Sequence, residues 1–219
     1  MEKIRCLVSA GPTREYFDPV RFISNPSSGK MGVEIAKAAR GFGWETTLIL
    51  GPTSLEKPEG IEVFDVVSAD DMLNRALALF GECDILIMTA AVSDMRPKKK
   101  SKAKVKKESL NMAVEFEPTP DILRELSKIR KNQILVGFAA ETNDVKSYAR
   151  GKLASKNLDA IAATDVSKSG SGFAADLNEI SLIFKDGREI DLGKDSKSRL
   201  AKKLIEILAA EFFPQAGKK

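Results

Sequence analysis

Histidine is absent from this 219-residue chain. That removes the commonest general base and the commonest transition-metal ligand together. Cysteine occurs only twice, at Cys6 and Cys83, which leaves too few ligands for a zinc site. Both thiols lie in apolar runs that read as neighbouring buried strands, where cysteine acts as a small core hydrophobe in a reducing compartment. No run reaches the roughly eighteen apolar residues that span a membrane. The first apolar run starts at Ile4, leaving no room for a signal peptide, so a cytoplasmic location is expected. The chemistry open to such a chain rests on carboxylates, lysines, arginines, amides, backbone donors and a hard cation such as Mg²⁺.

The charge that is present is unevenly placed. Of a formal +4, the stretch Lys98 to Lys107 contributes seven lysines, so the rest of the chain carries about −3. A solvated basic loop is the plain reading of that stretch. Nucleic-acid binding fits less well, because no aromatic is interleaved and the remaining surface is not basic. A third reading is an arm that closes over a polyphosphate.

Apolar runs alternate with amphipathic segments. Ile4–Val8, Thr46–Leu50, Ile61–Val67, Asp84–Thr89, Gln133–Phe138 and Ala160–Ala163 read as strands. Between them, helices are predicted over Gly32–Arg40, from a cap at Ser68 or Asp70 through Phe80, over Asp121–Lys131 and over Asp144–Lys156. Strands this apolar, separated by helices, indicate a mostly parallel sheet covered on both faces. The expected fold is α/β, a doubly wound Rossmann-like sheet. The tail differs: Glu179–Phe184, a turn at Asp186-Gly187 and Glu189–Leu192 read as a β-hairpin, followed by a helix over Ser196–Phe212. The length suits one domain, residues 1–219.

Ligands in such sheets bind at the carboxyl ends of the strands, and the unusual residues cluster there. After the first strand comes a long polar loop, Ser9 to Gly32. It ends in Ser27-Ser28-Gly29 at a helix start, where free N–H groups and the helix dipole favour an anion. Ala90 to Pro97 follows the fourth strand, and Gly137 to Thr142 the fifth.

Two short matches mislead. Tyr148-Ala-Arg-Gly-Lys152 has the Tyr-x-x-x-Lys spacing of short-chain dehydrogenases, but neither their upstream serine nor the G-x-G-x-x-G turn is present. Ser27-Ser28-Gly29-Lys30 lacks the glycine spacing of a P-loop, and Met31 stands in place of its Ser/Thr.

Longer motifs agree with one another. They are Ala10-Gly-Pro-Thr-Arg14, Asp18-Pro-Val-Arg21-Phe-Ile-Ser-Asn25, Ser27-Ser-Gly-Lys-Met-Gly32, Ala90-Ala-Val-Ser-Asp94-Met-Arg96-Pro, Lys104-Val-Lys-Lys107, Pro120-Asp-Ile-Leu123, Gly137-Phe-Ala-Ala-Glu-Thr142, and Lys152 with Lys156-Asn157-Leu-Asp159. In these the chain resembles bacterial phosphopantothenoylcysteine synthetase, the domain that follows the decarboxylase in bifunctional coenzyme A biosynthesis flavoproteins. The resemblance covers roughly Arg5 to Phe212. It implies a ligase that joins 4′-phosphopantothenate to L-cysteine, with CTP and Mg²⁺. CTP converts the pantothenate carboxylate to an acyl-cytidylate with loss of pyrophosphate, and the cysteine amine then displaces CMP. Two anions must be brought together, so lysines and Mg²⁺ matter more than a base.

The resemblance also implies residue roles. Lys104 would contact the nucleotide phosphates and assist cytidylate formation, from a basic flap over about 97–115. Asn25 would handle the acyl-cytidylate, its amide donating to the acyl carbonyl. Arg21 would meet an anionic substrate group, and Ser27, Ser28 and Gly29 the substrate phosphate. The nucleotide would lie against Met88, Thr89, Ala90 and Asp94, with Pro120, Asp121, Ile122, Leu123 and Phe138 completing the pocket. Lys152 and Lys156, four apart, would reach its phosphates. A homodimer is implied, with neither membrane nor nucleic acid as partner, and no flavin is expected because the decarboxylase half is absent. Metal ligands are not assigned. Met95 and Thr164 depart from the family pattern, the latter standing where asparagine is usual, and Thr164 is given no role. An ATP-dependent version of the ligase and a non-catalytic nucleotide-binding module remain the alternatives.

Overall fold

The computed structural model describes residues 3–107, 113–167 and 176–214. Its first half contains β1 (Arg5–Ala10), β2 (Arg14–Tyr16), β3 (Phe22–Ser24), α1 (Lys30–Gly41), β4 (Glu45–Leu50), β5 (Glu62–Asp65), α2 (Ala69–Phe80), β6 (Ile85–Met88) and β7 (Met95–Pro97). The second half contains β8 (Phe116–Pro118), α3 (Ile122–Ile129), β9 (Ile134–Glu141), α4 (Val145–Ser155), β10 (Ala160–Asp165), β11 (Leu177–Phe184), β12 (Glu189–Ser196) and α5 (Lys197–Phe212).

Eight strands form one sheet in the order β12-β11-β10-β9-β6-β1-β4-β5. From β10 to β5 every pairing is parallel, while β11 runs antiparallel to both of its neighbours. This is the α/β doubly wound fold expected from the sequence, with the predicted C-terminal hairpin and helix. All four residues of β6 are buried, as a strand covered on both faces requires. Alternation along β1 sends Cys6, Val8 and Ala10 to the face packed by Val33, Ile35 and Ala36 of α1 and Leu200 and Leu204 of α5. Leu7 points the other way, into a core with Met72 of α2, Leu126 of α3 and Leu153 of α4.

Helix starts follow local chemistry. Ser68 caps α2 in a reciprocal box: its hydroxyl accepts from Asp71 N at 3.1 Å, and the Asp71 carboxylate accepts from Ser68 N at 2.9 Å. This decides between the two predicted caps. The third strand is shorter than predicted: β5 sits at the sheet edge and pairs only with β4, over Glu62 to Asp65. Cys83 is buried but precedes β6 rather than lying in it, so only Cys6 is a strand residue.

Two hairpins were not foreseen. β2 pairs with β3, and β7 pairs with β8, both antiparallel. Three-residue strands carry too little alternation to be read from sequence. Between β7 and β8 the chain makes the long lysine-rich excursion. Among the described residues, no helix is long and apolar enough to cross a membrane.

Candidate functional site

From β1 the chain winds outward to β4 and β5, then returns to β6 on the other side of β1. Such a reversal opens a crevice at the strand carboxyl ends. A cavity of about 320 Å³ lies there. The loops after β1 and β6 are knitted together beyond the sheet: Ala91 N donates to Gly11 O at 2.9 Å, and Ser93 N donates to the Thr13 hydroxyl at 2.9 Å. α1 enters the crevice closely because Gly32 has no side chain. A Cβ there would lie 2.2 Å from Thr89 Oγ1 and 2.5 Å from Ala10 Cβ. Gly29, the N-cap of α1, has φ +78° and contributes no capping side chain; its own N–H donates to the Ser27 hydroxyl at 3.3 Å, and the Lys30 N–H to the Ser28 hydroxyl at 3.4 Å.

Asn25 lines the cavity. Its amide nitrogen donates to the carbonyls of Ala91 (3.3 Å) and Val92 (3.0 Å). Those two bonds fix the amide's orientation and engage its donors, while no hydrogen bond among the described residues reaches Oδ1. The expected donation to an acyl carbonyl is therefore not what this geometry offers; the oxygen is the open atom. Ser27, Ser28 and Gly29 also line the cavity, as predicted.

The residues expected to hold the nucleotide form the rest of one wall. Met88, Thr89, Ala90 and Asp94 come from the end of β6 and the loop beyond, and the Thr89 hydroxyl is tied to Ser9 O. Pro120 to Leu123, at the start of α3, and Phe138, in β9 beside β6, also line it. Asp121 is the N-cap of α3, accepting from Arg124 N at 3.2 Å, and its carboxylate pairs with Lys156 at 3.1 Å. Lys152 reaches the cavity from α4 while pairing with Glu141 at 2.6 Å. Both lysines thus carry internal carboxylate partners. Tyr148, the other half of the dehydrogenase-like match, is half-exposed and does not line the cavity.

Arg21 and Lys104 are the two predicted residues that do not line it. The Arg21 guanidinium lies on Asp18 Oδ2, at 3.0 and 2.6 Å, and donates to Val105 O at 2.6 Å. Asp18, fully buried, also accepts from the backbone of Val20, Arg21 and Val105. Burial pushes this carboxyl up, but the donors from Val20, Arg21 and Val105 outweigh it and hold it well below the usual carboxylate range. Arg21 therefore tethers the lysine-rich excursion in this structure instead of facing a substrate anion. Lys104, next to Val105, is exposed. Part of the predicted flap, residues 108–112, lies outside the described residues.

Lys30, Thr164, Asn178 and Lys197 also line the cavity and were assigned no role from sequence. Lys30 lies inside the Ser27–Gly32 motif, and Thr164 departs from the family pattern. Asn178 and Lys197 carry no local signal; the antiparallel β11 and the start of α5 deliver them. Among the described residues, no three metal-ligating side chains cluster.

Fold and site define a doubly wound α/β domain whose switch-point crevice is lined by lysines. The chain belongs to the family described as the DNA/pantothenate metabolism flavoprotein C-terminal domain, whose model matches residues 1–212. It is 47% identical to the coenzyme A biosynthesis bifunctional protein CoaBC of Bacillus subtilis (strain 168), over 96% of this chain and 52% of the relative. The protein of the same name from Escherichia coli (strain K12) is 38% identical, over 97% of this chain and 53% of the relative. The chain therefore spans about half the length of the curated relatives it matches. The crystal structure of the C-terminal domain of a CoaBC protein superposes with a TM-score of 0.82 at 38% identity, covering 96% of each chain. A Cab2 mutant described in complex with phosphopantothenate-cysteine shares the fold, at TM-score 0.77 and 16% identity. The resemblance read from the motifs is thus borne out at the level of the family.

Proposed function

We propose that the chain is a phosphopantothenate–cysteine ligase acting in coenzyme A biosynthesis, with CTP as the activating nucleotide. One observation carries this reading: Asn25, the Ser27–Gly29 helix start, the β6 and β9 ends and Lys152 with Lys156 surround a single cavity. The family membership supports it, as do the names of the bifunctional relatives.

The reaction asks for electrostatics rather than a strong base. In the first step a pantothenate carboxylate oxygen bonds to the α-phosphorus of CTP as the bond to the β-phosphate oxygen breaks, and pyrophosphate leaves. Lys152 and Lys156 exchange Glu141 and Asp121 for phosphate oxygens, which relieves the repulsion between the two anions. Mg²⁺, bound with the nucleotide, supplies further neutralisation of phosphate charge. Lys104 joins them when the flap, about 97–115, closes over the nucleotide.

In the second step the neutral cysteine amine forms a C–N bond to the acyl carbon, the acyl–phosphate bond breaks, CMP leaves, and the amine's surplus proton passes to the departing phosphate oxygen or to water. Asn25 Oδ1 accepts an N–H of that amine, because the amide nitrogen is already held by Ala91 and Val92. The substrate phosphate rests on Ser27, Ser28 and Gly29 at the start of α1. A homodimer in a single-domain arrangement completes the reading, and the exposed apolar side chains of Phe22, Met95 and Phe116 on the two hairpins favour it.

The test is an assay with phosphopantothenate, cysteine, Mg²⁺ and either CTP or ATP, following pyrophosphate and coupled product. Pyrophosphate release with CTP is expected. Turnover with ATP alone would replace the nucleotide but keep the ligase, and no pyrophosphate with either would overturn the reading.

A further inference from the structure

Behind Asn25 lies a threonine that the cavity does not touch. Thr13 is fully buried in the link between β1 and β2, outside the cavity lining, yet each of its polar groups leads back to Asn25. Its N–H donates to Ala91 O at 3.3 Å, a carbonyl that also accepts from the Asn25 amide nitrogen. Its carbonyl accepts from the hydroxyl of Ser24, the neighbour of Asn25, at 2.7 Å. Its hydroxyl accepts at 2.9 Å from the N–H of Ser93, the neighbour of Val92, whose carbonyl is the second acceptor of that amide.

These bonds close rings through one residue. The path from Thr13 through the Ser24 hydroxyl to Asn25, and from the Asn25 amide to Ala91, returns to the Thr13 N–H. A second ring shares the Ser24 side and returns through Val92 and Ser93 to the Thr13 hydroxyl. Thr13 thus holds both parts of the amide's setting: the backbone that carries Asn25 and the carbonyls that orient it. Ser93 is 4% exposed, so removing the threonine hydroxyl would leave its N–H buried without a partner. The rest of Ser93 is already committed, its hydroxyl donating to Met95 O at 2.8 Å and its carbonyl accepting from the Thr119 hydroxyl. Relief comes from displacement of the 91–93 stretch, which carries both acceptors of Asn25.

We propose that Thr13 is a positioning residue for amide formation, holding Asn25 so that Oδ1 stands where the cysteine amine arrives. The proposal rests on the ligase reading for the step it serves. Thr13 touches no reacting atom, and Lys152 and Lys156, assigned to the nucleotide phosphates, lie in and at the end of α4, outside both rings. Loss of the hydroxyl should therefore separate the two half-reactions. Cytidylate formation draws on the lysines, whereas amine attack needs an acceptor whose misplacement by about 1 Å costs up to about a hundredfold.

Thr13→Val keeps the side-chain shape and removes the hydroxyl, Thr13→Ser restores it, and Ser24→Ala cuts the other link. Circular dichroism and thermal melting verify folding, and Ser24→Ala carries the same comparison if Thr13→Val does not fold. Rapid-quench kinetics with CTP, phosphopantothenate and cysteine then measure pyrophosphate release and amide formation separately. In Thr13→Val and Ser24→Ala, pyrophosphate release is expected within about twofold of wild type and amide formation at least about tenfold slower. Thr13→Ser should recover amide formation to within about threefold. Equal slowing of both steps, or a Thr13→Ser enzyme no better than Thr13→Val, would overturn the positioning role. Side-chain amide exchange followed by NMR needs no turnover. The Asn25 pair, recognised by its loss in Asn25→Asp, should exchange at least about tenfold faster in Thr13→Val and Ser24→Ala, with the Asn178 pair within about twofold of wild type. Unchanged exchange at Asn25 would equally overturn the role. A wild type that releases no pyrophosphate with CTP or ATP, while the variants show the exchange difference, would overturn the ligase reading and leave Thr13 as the residue that orients Asn25.

Discussion

The buried carboxylate of Asp18 accepts the backbone N–H of Val105 at 3.2 Å, across 87 positions of sequence. One acidic side chain in the turn between β2 and β3 thereby holds the lysine-rich excursion between β7 and β8 at Lys104's neighbour. Arg21 completes the tether by binding both Asp18 and the Val105 carbonyl.

Replacing Asp18 with asparagine should loosen that tether without touching the cavity. The KM for the nucleotide is expected to rise about tenfold with kcat little changed, because the flap pays more ordering entropy on closing. Lys104→Gln should instead lower the rate of the first, pyrophosphate-releasing step. Steady-state kinetics read through pyrophosphate separate the two patterns, and an Asp18→Asn enzyme with unchanged KM would remove the tether from the mechanism.

The same carboxylate sets an acid dependence. Its folded-state value is held below the ordinary one of 3.8, so its contribution to stability is fully present above that value and drains away as pH falls toward the folded one. The stability gap between wild type and Asp18→Asn should be constant from neutral pH down to about pH 5 and shrink below about pH 4. Urea unfolding across that range measures it. A gap that widens on acidification contradicts the assignment.

Asn25→Asp should form the acyl nucleotide yet slow amide formation by about a hundredfold. A carboxylate at this position faces the carbonyls of Ala91 and Val92, where the amide nitrogen now donates, and is pushed out of place. Rapid-quench separation of pyrophosphate release from product formation shows the split. Full turnover by this variant would rule out the role given to Asn25.

Gly32→Ala is expected to cost about 1–3 kcal/mol, since its methyl group would meet Ala10 Cβ at 2.5 Å and Thr89 Oγ1 at 2.2 Å in a packed seam. Relief comes from moving α1 outward, which also withdraws Ser27 to Gly29 from the cavity. A fall in Tm accompanied by weaker phosphopantothenate binding is the predicted pairing. Gly41→Ala, with open space around the added carbon, should leave both unchanged.

What the sequence alone determined was the part carried by local pattern. Buried strands such as Ile85 to Met88 announce themselves by composition, and the motifs at three strand ends named many of the residues that face one crevice, though Arg21 turned out to face Asp18 instead. Short pairings escaped that reading: three residues of β2 or β7 show no periodicity, and each finds its partner only through the folded chain. Charge partners escaped it too. Asp18 stands only three residues before Arg21, but nothing near the pair in sequence says that the guanidinium also takes a carbonyl 84 residues away, and nothing near Asn25 says which end of its amide is engaged. Asn178 and Lys197 were invisible for the same reason. Their place in the cavity depends on strand direction, since β11 must start and β12 must end at the edge where β1 and β6 deliver their loops. Hydrophobic periodicity acts over a few residues and is written along the chain, whereas a polar site is assembled from distant groups whose pairing only tertiary geometry decides.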